Sequence, residues 1–215
     1  MEELKEINRL TRISYDLAAA KYHELFRDEL DSKPYDRELL DRFATYFAPG
    51  SIVHDMGCGP IGHVGHYLQA KGLQVIGLDI SQNCVDLASA HHPEMEFRVM
   101  DMADLTLEDH SADGVLSYYS IIHTPNRLIP RVLGEFHRVL KARGKLLLSV
   151  KEVQQGGFQE EFLGFRARIY FASFDVEEIA RLLTESGFTI LFLERRSPLE
   201  GEIPVPRIYA IGEKK

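Results

Sequence analysis

Gly57, Gly59 and Gly62 spell G-x-G-x-x-G within the stretch SIVHDMGCGPIGHVGHYL, Ser51 to Leu68. A β-branched and apolar run enters this turn and a helical pattern leaves it. At such a junction small residues let backbone N–H groups approach a nucleotide-like ligand. Three acids stand around it. Asp79 ends the next apolar run, LQVIGLD, about twenty residues past the glycines, where a carboxylate accepts hydrogen bonds from ribose hydroxyls. Its alternative is to cap the helical segment that starts at Ser81. Asp55 precedes Gly57 by two positions, where it would repel a pyrophosphate and suit the ammonium of an amino acid. Asp101 ends the run EMEFRVMD and is placed to accept the exocyclic amine of adenine.

Beyond the fourth apolar run, DGVLSYY, lies His123, in SYYSIIHTP. It follows a strand at the end where chemistry is expected, and an imidazole of ordinary pKa suits proton transfer near neutrality. It is the candidate base; packing or capping of the following helix is the competing role. Tyr118 and Tyr119 are candidates to line the acceptor site, and Arg166, Arg168 and Tyr170 to bind an anionic acceptor, with a solvated charged surface as the alternative. His63 and His66 share a helix face, but no third ligand is evident from the sequence, so no metal site is expected.

The elements that must position these groups alternate. Strand-like runs begin at Ile52, Leu73, Glu94, Asp113 and Gly144, with helical periods between them such as Ile80, Cys84, Leu87 and Ala88. The alternation implies parallel βαβ units and a sheet covered on both faces. At the end, Asp175 and Glu178 form a helix start signal and Gly187 a stop. FTILFLERR and RIYAIGEKK follow as two strands whose joint is too short for a helical crossover, so they pair antiparallel. One domain over 1–215 is expected: a helical cap over 1–50, with helices around Leu17–Phe26 and Leu39–Phe47, a cofactor-binding core over 51–150, a candidate substrate lid over 151–174, and a C-terminal helix and strand pair over 175–215.

The 215 residues carry a net charge of −8, which disfavours a nucleic-acid partner. Cys58 and Cys84, the two cysteines, fit neither a disulfide framework nor a zinc spacing. The N-terminal MEELKEINRL lacks the basic start and apolar core of a signal peptide, and no apolar run approaches the roughly 20 residues that span a bilayer. A soluble, cytoplasmic protein, monomer or homodimer, is expected.

Together VHDMGCGPIG, VIGLDIS, FRVMDMADL, DGVLSYYSIIH and RVLKARGKLLLSV resemble the successive motifs of class I S-adenosylmethionine-dependent methyltransferases, from about Tyr15 onward. YDLAAAKY resembles the tyrosine-bearing helix that precedes this core in small-molecule members. The resemblance implies a Rossmann-like, doubly wound α/β fold. Its seven-stranded sheet would be mostly parallel with an antiparallel C-terminal strand, and helices would cover both faces. It also implies that Asp55, Gly57 and Gly59 line the methionine portion of S-adenosylmethionine, with Cys58 among the cofactor-binding residues. Asp79 would hold the ribose and Ile80 pack on adenine. Asp101 would take the adenine amine with the Met102 backbone beside the ring, and the Ser117 carbonyl would take the ammonium. Tyr15 and Tyr22 would close over the cofactor. The sequence departs from the family pattern at His54, Met56, Pro60-Ile61 and Ala142-Arg143; His54 needs a hydrogen-bond partner in its buried strand. SYYS is not the N-P-P-Y signature of DNA- or glutamine-methylating enzymes, so the expected acceptor is a small molecule methylated on O or N, ahead of protein or RNA. A non-catalytic cofactor-binding protein and a nicotinamide-dependent oxidoreductase are the rival classes.

Overall fold

The computed structural model describes residues 2–153, 155–200 and 202–215. Its elements follow in chain order. They are α1 (Glu2–Phe26), α2 (Pro34–Ala44), β1 (Ile52–Met56), α3 (His63–Gln69), β2 (Gln74–Asp79), α4 (Gln82–His91), β3 (Glu96–Val99), β4 (Ala112–Tyr118), α5 (Ile129–Val139), β5 (Leu140–Lys151), β6 (Gly157–Gln159), β7 (Ile169–Phe171), α6 (Val176–Glu185), β8 (Phe188–Arg196) and β9 (Arg207–Lys214). Seven strands form one sheet in the order β3-β2-β1-β4-β5-β9-β8. The pairs among β1 to β5 are parallel, while β9 runs antiparallel to both β5 and β8.

Period-two side-chain alternation divides the core between the two faces of the sheet. Leu146, Leu148 and Val150 of β5 join the buried residues of α5 and α6, whereas Leu147 joins those of α2 and α3. Asp175 caps α6 by accepting the Glu178 N–H at 2.7 Å, and Gly187 takes φ 89° at the stop. Arg143 adopts φ 61°, a left-handed conformation costly for a residue with a Cβ.

Two parts differ from the sequence expectation. The first helix runs from Glu2, not from Leu17, because its buried face at positions 4, 7, 11, 14 and 18 includes Thr11 and Ser14, which hide the apolar period. The second starts at Pro34, whose fixed φ and missing N–H suit a helix's first turn. The candidate lid contains a short hairpin, β6 paired with β7, outside the main sheet. Among the described residues, no helix is long and apolar enough to cross a membrane.

Candidate active site

The sheet order reverses between β1 and β4, and open α/β sheets bind ligands at such a switch, outside the carboxyl ends of the strands. A pocket enclosing about 1000 Å³ of empty space, its open mouth included, lies there. Its floor comes from the ends of β1, β2, β3 and β4 and the turns that follow them.

The glycine turn shapes one wall. Gly57 and Gly59 take φ 77° and 65°. A Cβ on Gly57 would stand 2.4 Å from the Ser120 Cβ, so this position is closed to any side chain; beside Gly59 there is open space. Asp79 is buried behind the turn. Its Oδ2 accepts the Gly59 N–H and its Oδ1 the Ser81 N–H, both at 2.9 Å. Ser81, not Asp79, caps α4, accepting the Cys84 N–H at 3.1 Å. Burial raises Asp79 to about 6, with the Ser81, Gly59 and Ile80 N–H groups opposing it. Asp55 is also buried. Its burial, and then the charge of Asp79, push it up to about 7 against the Gly65 N–H.

The roof is α1. Asn8 donates to Asp101 Oδ2 at 2.7 Å, and Asp16 accepts from the Ser81 hydroxyl at 2.6 Å. Between them Tyr15 reaches down to His123, its hydroxyl 2.9 Å from Nε2. His123 Nδ1 lies 2.8 Å from the Tyr170 carbonyl, which can only accept, so Nδ1 carries the proton and Nε2 the lone pair that takes the Tyr15 O–H. Burial lowers His123 to about 4; the Tyr170 contact opposes this and the Lys151 charge adds to it. The imidazole is therefore neutral across the physiological range, and its pKa is not the near-neutral one that its residue type suggests. Phe162 closes over the pair, its ring 4.9 Å from Tyr15 and 6.5 Å from His123.

Of the residues singled out in the sequence, Tyr15, Tyr22, Asp55, Gly57, Cys58, Gly59, Asp79, Ile80, Asp101, Met102, Tyr118, Tyr119 and His123 meet around this one pocket. Ser117 does not. It is buried within β4, which continues to Tyr118, and its hydroxyl lies 2.7 Å from that of Ser120, which does line the pocket. Tyr118 and Tyr119 present rings, not free hydroxyls. Tyr118 donates to the buried Asp36, and Tyr119 shares a 2.9 Å hydrogen bond with Tyr209. Arg166, Arg168 and Tyr170 lie outside the lining. Arg166 is exposed; Arg168 pairs with Glu160 at 3.1 Å and stacks over Phe158; the Tyr170 ring packs on Phe158 while its main chain holds His123. The short hairpin turns these side chains away from the pocket.

The sequence reading missed Asn8, Thr11, Glu29, His63, Ser120 and Thr124 in the lining. Glu29 lies 3.3 Å from His63 and 3.0 Å from the Lys33 ammonium. Burial alone would raise it, but the His63 and Lys33 contacts prevail and hold it at about 2, so it is an ionised carboxylate. His54, for its part, finds no partner for Nδ1 among the described residues, and burial lowers it to about 4.

The donor set fits an adenosyl amino acid. Each Asp79 oxygen accepts one N–H and keeps further acceptor capacity for a diol, and buried Asp55 would face a dinucleotide's pyrophosphate with like charge. These features define a doubly wound α/β protein with a nucleoside-binding pocket. A family profile described as a methyltransferase domain matches residues 54–148. The chain is 32% identical over 154 residues to phosphoethanolamine N-methyltransferase 1 of Zea mays, covering 69% of this chain and 30% of that protein. It is 30% identical over 177 residues to phosphoethanolamine N-methyltransferase 2 of Caenorhabditis elegans, 79% and 40% covered. The chain thus spans well under half the length of these curated relatives. Its fold matches that of a Burkholderia thailandensis 1,6-didemethyltoxoflavin-N1-methyltransferase with bound 1,6-didemethyltoxoflavin and S-adenosylhomocysteine. The TM-score is 0.76 at 19% identity, with 99% of this chain and 90% of that one covered. The chain belongs to the class I S-adenosylmethionine-dependent methyltransferases, and S-adenosylmethionine is its cofactor.

Proposed function

We propose that this chain methylates an amine nitrogen or hydroxyl oxygen of a small molecule, with Tyr15 and His123 at the reacting end of the pocket. The single observation that carries this is their hydrogen bond: a neutral imidazole of fixed tautomer and a tyrosine hydroxyl share one pocket with the cofactor-binding acids.

When bound, S-adenosylmethionine supplies a methyl group on a sulfonium that is already activated. Asp79 would hold the ribose hydroxyls, Asp101 the adenine amine, and Asp55 with the glycine turn the methionine portion. The protein's remaining task is to align a nucleophile and exclude water. Burial by α1, Phe162 and Phe171 keeps water from His123. With a hydroxyl acceptor the oxonium formed by methyl transfer is strongly acidic, so a base as weak as His123 suffices to take its proton through Tyr15; an amine must enter as the free base, and the ammonium it becomes keeps its proton until it leaves the pocket.

Phosphoethanolamine, for which the similar Zea mays and Caenorhabditis elegans enzymes are named, is the first acceptor to test, and ionised Glu29 supports a cationic amine in the pocket. The net charge of −8 supports a small molecule over nucleic acid, and the two buried free cysteines support a cytoplasmic location. The test is a screen of small amines and alcohols, phosphoethanolamine included, that reads S-adenosylhomocysteine formation. Turnover with a small acceptor is the expected result. S-adenosylhomocysteine raising the melting temperature with no turnover on any acceptor would favour a non-catalytic binding protein; stabilisation by NAD instead would overturn the cofactor assignment.

A further inference from the structure

His66 has no metal-ligating neighbour along the chain beyond His63, and His63 is taken by Glu29. The fold brings two others to it from the far side of β2 and α4. His92 directly follows α4 at its C-cap, and Glu94 lies in the loop to β3. His66 Nε2 lies 3.4 Å from Glu94 Oε1, and His92 Nδ1 lies 3.6 Å from the same oxygen. All three ligand atoms fall within 4.8 Å of one another.

Zinc binds imidazole nitrogen and carboxylate oxygen at about 2.0–2.2 Å, so two donors on a tetrahedral ion stand about 3.3 Å apart. Both histidine–glutamate edges are already close to that figure. The third edge needs only a rotation of His66, whose side chain is 47% exposed. His92 is better fixed. It is partly buried and stacks on His66 with centroids 4.2 Å apart. The buried thiols Cys58 and Cys84 are pushed up by burial and do not compete for it.

We propose that His66, His92 and Glu94 form a surface site for a borderline divalent cation such as Zn²⁺, with one coordination position left to water. The ion would tie α3 to the loop between α4 and β3, behind the turn that carries Ile61 of the pocket wall. The site stands independently of the methyl-transfer reading.

The experiment is a zinc titration of the full chain, freed of any histidine tag and stripped with chelator, in competition with a chromophoric zinc indicator. The expected result is one saturable equivalent and a raised melting temperature, because the ion binds the folded form. His66→Ala and Glu94→Gln, both at exposed positions, each weaken binding at least tenfold, while His91→Ala, whose ring contacts the Leu87 carbonyl and His23, leaves it unchanged. Matching circular dichroism spectra keep a folding defect from imitating the result. No saturable uptake at micromolar zinc, or equal affinity in the His66→Ala/Glu94→Gln double variant, overturns the proposal.

Discussion

The two halves of the pocket are built in opposite ways. The cofactor floor hangs on main chain: the Gly59 and Ser81 N–H groups fix Asp79 from nearby in sequence, and the positions of Asp55, Asp79 and Asp101 at or beside the carboxyl ends of β1 to β3 follow from the strand pattern. The reacting end hangs on side chains far apart in sequence. Tyr15 and His123 are separated by 108 positions, and the Tyr170 carbonyl that sets the imidazole's tautomer lies 47 further on. A floor of this kind serves a whole family, whereas a roof assembled from three distant segments can vary with the acceptor.

The largest expected effect falls on the roof. Tyr15→Phe and His123→Gln each lower turnover by roughly 10²–10⁴-fold at saturating acceptor, with S-adenosylhomocysteine affinity little changed. The two residues act as one unit, so the double variant loses no more than the worse single variant. Steady-state kinetics paired with calorimetry checks this. Additive losses would separate the two residues and break the comparison.

That contrast also explains what was legible in the sequence. The glycine turn and the acids Asp55, Asp79 and Asp101 could be found because strand ends and turn residues are local features. Tyr15 was expected to close over the cofactor and His123 to act as a base, but not as a pair, since nothing along the chain shows that the two side chains touch. Thr11 and Ser14 on the buried face of α1 hid the start of the helix that crosses the pocket. Ser117, whose carbonyl was expected at the end of the fourth strand, lies inside β4, because the exact end of that strand depends on its pairing with β5, where Tyr118 still lies opposite Ser149. Glu29 went unnoticed, and His63 was set aside with His66 and not placed in the pocket, because only folding brings Glu29 and His63 within 3.3 Å.

On the floor, Asp79→Ala weakens S-adenosylhomocysteine binding by about 1.5–3 kcal/mol, the range for hydrogen bonds to a charged group. Calorimetry on the folded variant measures it. Unchanged affinity would remove Asp79 from the site.

A smaller effect follows from the titration of Asp55. In the free protein it is raised to about 7, so near pH 6 it is mostly protonated and near pH 8 mostly ionised. A ligand ammonium binds the ionised form, and binding therefore expels a proton below the pKa. The sign is that affinity rises with pH, by about tenfold between pH 6 and 8. Asp55→Asn removes that slope while leaving a weaker, pH-independent affinity. A slope that persists in the variant would move the titrating group elsewhere, with Asp79, raised to about 6, the next candidate.

The smallest effect is expected in the hairpin that adjoins His123 without entering the pocket. Arg168 has a half-exposed side chain, and its partner Glu160 is more exposed still. Ion pairs of this kind contribute about 0–1 kcal/mol to stability. Arg168→Ala should therefore shift stability by less than about 1 kcal/mol and leave the acceptor's KM unchanged. The hairpin serves the site through the Phe162 and Phe171 rings and through the Tyr170 carbonyl; Tyr170→Ala retains that carbonyl, so His123 should keep its tautomer and turnover should change little in that variant as well. A several-fold rise in KM for an anionic acceptor in Arg168→Ala would show that the guanidinium turns inward when the acceptor binds. The hairpin would then contribute a charged side chain to the site as well as its aromatic rings and its main chain.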